Sequence, residues 1–154
     1  MPSQLIVLLI SMLPISELRG AIPIAISVYK MSASAAFFWA VLGNIIPVIF
    51  ILWLLKTVSN FLSHHSYFFN RFFVWLFERT RRNHSRKFER FKDLALVILV
   101  AIPLPFTGAW TGSLAAFVFG IPIKKALPLI ILGVLIAGVI VSLVTIGVIS
   151  LPIL

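Results

Sequence analysis

The 154-residue sequence contains no cysteine. That excludes a disulfide scaffold, a thiolate metal centre and a cysteine nucleophile. Charge is scarce as well. Asp, Glu, Lys and Arg make up 11% of the residues, against about 25% in an ordinary soluble domain. Apolar residues make up 61%, and the mean hydropathy is +1.14. A chain of this length could not enclose so much apolar surface in one core, which excludes a water-soluble globular fold. The common catalytic signatures are missing too. There is no Gly-x-Ser-x-Gly elbow, no His-Glu-x-x-His and no phosphate-binding loop, and no nucleophile–base pair is visible. His64, His65 and His84 fall in a basic segment, and the adjacent pair cannot alone build the closed site that structural zinc needs. The reading is a membrane protein that is not an enzyme and uses no metal or cofactor.

Four acidic residues face thirteen Lys and Arg, for a formal charge of +9 and a pI near 11.0. Residues 78–92, ERTRRNHSRKFERFK, supply +5 of that excess. A soluble chain with this balance would be examined for nucleic-acid binding, but no nucleic-acid-reading module is present. Between apolar stretches, the block reads as a cytoplasmic loop obeying the positive-inside rule, with Arg79, Arg81, Arg82, Arg86 and Lys87 facing anionic lipid headgroups. Just before it, Phe61, Phe68, Phe69, Phe72, Trp75 and Leu76 recur at helical spacing, widened by Phe73 and Phe77. An aromatic face with a cationic flank suits an amphipathic helix in the cytoplasmic interface, or one covering the protein's own inner surface.

Four apolar stretches stand out: 5–29, 34–55, 94–121 and 126–151. The second and fourth carry no charge and are long enough to span a bilayer, with Lys56 closing one and Lys124-Lys125 preceding the other. Pro47 and Pro128 are tolerable where neighbours re-satisfy the backbone. The first and third stretches are interrupted. Pro14-Ile-Ser-Glu-Leu-Arg-Gly-Ala-Ile-Pro23 and Pro103-Leu-Pro-Phe-Thr-Gly-Ala-Trp-Thr-Gly112 put prolines, glycines and polar groups in mid-run. Proline removes a helical donor and expels its predecessor from the α region, so each stretch reads as two half-helices joined by a turn. Pro14 and Pro103, Gly20-Ala21 and Gly108-Ala109, and Leu42-Gly43 and Leu132-Gly133 recur at offsets of 89, 88 and 90, which reads as an internal repeat.

If all four stretches spanned, Lys124-Lys125 would lie on the opposite side from the basic block. If the first and third are re-entrant, both basic clusters are cytoplasmic and both termini are outside. The expected fold is therefore an all-α integral membrane protein of one domain, 1–154. It has two inverted repeats (1–57 and 94–154), each a re-entrant helical hairpin plus one transmembrane helix, with the amphipathic segment 58–93 between them. The hairpin tips then meet near the midplane, where transporters of this design bind substrate. The N-terminal run Leu5–Leu13 is not read as a cleaved signal: no basic side chain precedes it, and Glu17 and Arg19 follow at once.

Glu17 and Arg19 are the charged pair inside an apolar stretch, and such groups mark function or a structural ion pair. Arg19 could hold an anionic headgroup with help from half-helix amides, and Glu17 is either a proton carrier or a fixed anion. A hinge at Gly20 would let the two converge. Ser16, Asn44, Thr107, Thr111 and Ser113 add polar groups at similar depth, Gly108 and Gly112 permit close backbone approach, and Trp110 at the tip packs or contacts a lipid chain. Thr107 and Thr111 either satisfy the broken backbone or line a polar cavity.

The motifs PISELRGAIP (14–23) and PLPFTGAWTG (103–112) resemble those of the small multidrug export protein family, a distant relative of the DedA superfamily. The resemblance implies paired, facing re-entrant hairpins. Superfamily relatives move undecaprenyl phosphate or phospholipids, and eukaryotic members scramble lipids. The arginines those relatives carry in the second hairpin are absent here, since 94–121 holds neither Arg nor Lys. The functional expectation is a small transporter in a prokaryotic inner membrane for a lipid or amphipathic substrate, phosphate-bearing ones included, with proton coupling open. Expected partners are membrane lipids and a second copy of the chain. The alternative is an assembly protein whose Glu17–Arg19 pair only holds the hairpin.

Overall fold

The computed structural model describes residues 1–81 and 86–151, apart from the side chains of Phe77, Thr80, Arg81, Arg86 and Phe88. Seven helices and no strand appear among the described residues: α1 (Ser3–Met12), α2 (Glu17–Ser27), α3 (Ala33–His65), α4 (Tyr67–Arg81), α5 (Arg86–Ala101), α6 (Ala109–Val118) and α7 (Ile123–Ser150).

Both interrupted stretches are broken where proline predicts. α1 stops before Pro14 and α2 starts at Glu17; α5 stops before Pro103 and α6 starts after Gly108. The first break differs in detail from the sequence reading. Gly20 is not the hinge but sits inside α2, its amide bonded to the Ser16 carbonyl at 2.9 Å. The turn is made by residues 13–16 and by Glu17, whose φ of 45° is left-handed. α6 ends in a Schellman motif. Gly120 takes φ 68°, its amide reaches Phe117 at 3.1 Å, and the Ile121 amide reaches Ala116 at 2.9 Å.

α3 (33 residues) and α7 (28 residues) are long and apolar enough to cross a membrane, and they pack against each other. Lys56 closes the apolar run but does not end α3. Lysine is a good helix former, and the helix continues to His65, stopping only where Ser66 becomes extended. The 58–93 segment is accordingly divided among the end of α3, all of α4 and the start of α5. α4 leaves Phe68, Phe69, Phe72 and Trp75 exposed, while Phe73 meets Phe117 of α6 edge-on. Arg79 lies over the Trp75 ring.

The core is built of small residues. Ala36 and Ala40 of α3 and Ala126 and Ala137 of α7 are all buried in it. α1 crosses α3 so closely at Gly43 that a Cβ there would lie 2.4 Å from the Leu8 carbonyl oxygen. α5 crosses α7 at Gly133, where a Cβ would lie 2.6 Å from Val100. Without a hydrophobic drive between helices in lipid, such close backbone approach is a main source of packing energy. The outer faces of both long helices present Phe38, Phe50, Trp53, Leu132, Leu143 and Val144 to the surroundings. An exposed apolar surface of this extent belongs to a membrane protein.

Candidate functional site

The two breaks lie against each other, and each supplies the hydrogen bonds the other lacks. A helix end leaves amides or carbonyls unpaired, and away from water they need partners. Glu17, 2% exposed, reaches the start of α6, where the Trp110 amide donates to its Oε1 at 3.3 Å and the Ala109 amide also points at it. The carboxylate thus caps a helix N-terminus in the favourable dipole orientation. Gly108 makes this possible. Its φ is 125°, and a Cβ there would lie 2.0 Å from Glu17 Oε2.

Arg19 serves the carbonyls of the same loop. Its Nη1 donates to Leu104 O and its Nη2 to Thr107 O at 3.1 Å. The guanidinium also stands 3.7 Å from Glu17 Oε2. In return Trp110 Nε1 donates to the Met12 carbonyl at 3.2 Å, across 98 residues of chain. Within the breaks, Ser16 Oγ donates to Ile10 O at 2.6 Å and Thr111 Oγ1 to Phe106 O at 2.9 Å. Thr107 Oγ1 lies 2.6 Å from Ile102 O and 2.8 Å from Leu104 O, and accepts from the Leu104 amide at 3.1 Å.

The threonines satisfy the broken backbone, and with Ser16, Arg19, Gly20 and Trp110 they line a cleft of about 700 Å³ whose lining is mostly apolar rather than polar. Its rim is apolar, carrying Ile15 (93% exposed) and Phe106 (91%), the latter at a left-handed φ of 67°. Arg19 is the charged residue of the cleft wall, whereas Glu17 lies behind it. Glu17, Arg19 and Gly108 also border a void of about 10 Å³ beside Asn44, a fully buried residue of α3 whose Oδ1 has no partner among the described residues. Ser113 lies apart, buried and turned back on the Ala109 carbonyl.

The sequence reading missed two things. The acceptors for Arg19 are main-chain carbonyls, which no sequence pattern marks. Trp110 ties the breaks together, and the signal for this was an indole N–H in an apolar run, which needs a partner. Of the proposed lipid-facing cations, Arg79 and Lys87 are exposed; Arg82 and the side chains of Arg81 and Arg86 lie outside the described residues. No group of metal-ligating side chains occurs among the described residues.

The family model described as "Putative small multi-drug export protein" matches residues 17–140, a range that takes in the charged pair and the second break. No curated protein and no solved structure matches the chain.

Proposed function

The chain belongs to the small multi-drug export protein family, and from that premise we propose that it is a multi-pass transporter of the prokaryotic cytoplasmic membrane, moving a lipid or another amphipathic substrate. The cleft carries this reading. It joins a polar wall of Ser16, Arg19, Thr107 and Thr111 to an apolar rim of Ile15, Phe106 and Leu114, the two chemistries an amphiphile presents. In this reading the broken segments are re-entrant hairpins and the halves are inverted repeats. Two features support it. Each half runs short helix, break, short helix, long helix. Gly43 and Gly133, 90 residues apart, each admit the first helix of their own half against its long helix. Basic residues then face the cytoplasm, the aromatic face of α4 lies in the interface, and a homodimer completes the shielding of the midplane. Turnover requires no covalent chemistry, nucleic acid or cofactor.

Arg19 receives the polar end of the substrate, and Glu17 releases or re-forms its contacts with α6 and Arg19 during the cycle, with a proton as the simplest coupling ion. The assay uses purified protein in liposomes with a panel of lipids and amphipathic drugs, with and without a pH gradient. Arg19→Ala is expected to abolish binding, and Glu17→Gln to bind but stop coupled turnover.

A second reading rests on a specific observation. Both terminal nitrogens of Arg19 already bond to the 104–107 backbone, and Glu17 already caps α6. If both variants move substrate at the wild-type rate, the pair is scaffolding.

A further inference from the structure

A second depression, sharing no residue with the cleft, opens where both long helices change character. It has a volume of about 290 Å³ and is lined by Lys56, Ser59, Asn60 and the 120–123 turn, with Leu52 and Phe117 as apolar walls. The uncharged run of α3 ends at Lys56 and that of α7 begins after Lys125, so the pocket sits at one boundary of the apolar layer.

Three features give it the chemistry of an anion site. α7 begins here without a side-chain cap, its N-cap residue being Pro122. Its first intrahelical bonds are donated by Lys125 and Ala126 to the Pro122 carbonyl, leaving the amides of Ile123 and Lys124 without a partner among the described residues. The N-terminus of a 28-residue helix thus presents free amides and the positive end of its dipole. Second, Ser59 is 6% exposed, lines the pocket, and its hydroxyl bonds to nothing among the described residues. A serine in a helix interior usually bonds back to its own helix; this one is left for something in the pocket. Third, Lys56 brings a full positive charge to the same wall. Of the nearest carboxylates, Asp93 is held by Lys125 at 2.9 Å, and Glu89 lines the adjoining depression rather than this one.

We propose that this pocket binds a phosphate ester: the Ile123 and Lys124 amides, the Ser59 hydroxyl and the Lys56 ammonium hold its oxygens. The apolar walls and the position at the layer boundary favour the headgroup of an anionic phospholipid over free phosphate. Basic pockets between membrane helices are a recurrent form of lipid-headgroup site. The site uses no property of the cleft, so its failure and that of the transport reading are separately readable.

The test is native mass spectrometry of the protein released from nanodiscs of phosphatidylcholine with a minority of phosphatidylglycerol, paired with thermal unfolding in neutral detergent as inorganic phosphate is added. Wild type should retain one phosphatidylglycerol per chain. Lys56→Ala and Ser59→Ala should lose most of it, Lys56→Arg should keep it, and an Arg71→Ala variant on α4 should keep it. Stabilisation by inorganic phosphate that Lys56→Ala abolishes, without retained lipid, would identify a free anion as the occupant of the same site. Retention that survives Lys56→Ala and Ser59→Ala, retention lost equally in the α4 variant, or no response to either probe would overturn the proposal.

Discussion

Gly108 stands where α6 begins, at φ 125°, with the Glu17 carboxylate where its side chain would be. Alanine there meets two obstacles: a backbone region that costs L-residues on the order of 1–3 kcal/mol, and a buried oxygen in its path. Gly108→Ala should therefore lower the melting temperature sharply. The two obstacles separate in a double-mutant cycle, because Glu17→Ala removes the clash but not the backbone strain. The double variant should be less destabilised than the sum of the single ones. Thr107→Val tests the loop from within. It keeps the shape but removes the hydroxyl that serves the Ile102 and Leu104 carbonyls and the Leu104 amide, and it should cost about 1–3 kcal/mol in thermal unfolding. The charged pair was legible in the sequence because isolated ionisable groups in apolar runs are conspicuous. Its partners were not, because every acceptor of Arg19 and every donor to Glu17 outside the pair is main chain.

At the scale of elements, proline told where α1 and α5 stop, since it removes a donor and constrains the residue before it. Charge told less about where α3 stops. Lys56 marks the end of the apolar run but not of the helix, because hydropathy and helix propensity are separate properties. The residues paired at offsets near 90 play unequal parts. Gly43 and Gly133 play matching packing roles, whereas Gly20 lies inside a helix and Gly108 caps one. The packing roles lead to a ranking. At Gly43 an added methyl meets a backbone carbonyl, which can yield only by moving α1; at Gly133 the nearest atoms belong to the Val100 side chain. Gly43→Ala should lower the melting temperature more than Gly133→Ala, and only the Gly133→Ala penalty should shrink in a double-mutant cycle with Val100→Gly, since alanine at 100 would keep the Cβ that lies 2.6 Å away.

For the whole molecule the decisive quantity is sidedness. The absence of native cysteine makes the chain a clean background for single-cysteine labelling. Under the re-entrant arrangement, Ser3→Cys in intact cells should react with an impermeant thiol reagent, while Asn70→Cys and Lys124→Cys should be protected until the membrane is opened. Labelling of Lys124→Cys from outside, with Ser3→Cys protected, would mean that the broken segments cross the bilayer. Composition made the membrane class legible. The way the two breaks interlock was not, because it depends on contacts between residues some 90 positions apart.

That separation also has a meaning in time. A ribosome adds about 5–20 residues each second, so Glu17 and Arg19 are made seconds before the amides and carbonyls that will hold them at residues 104–110. During that interval the carboxylate and guanidinium of the first half have only each other as partners, and its helix end lacks the Trp110 indole. It must wait near water, or in the care of the insertion machinery, before it settles. Biogenesis of the first half is thereby conditional on arrival of the second, and a chain truncated before residue 104 should be recognised by the cell as unfinished and degraded.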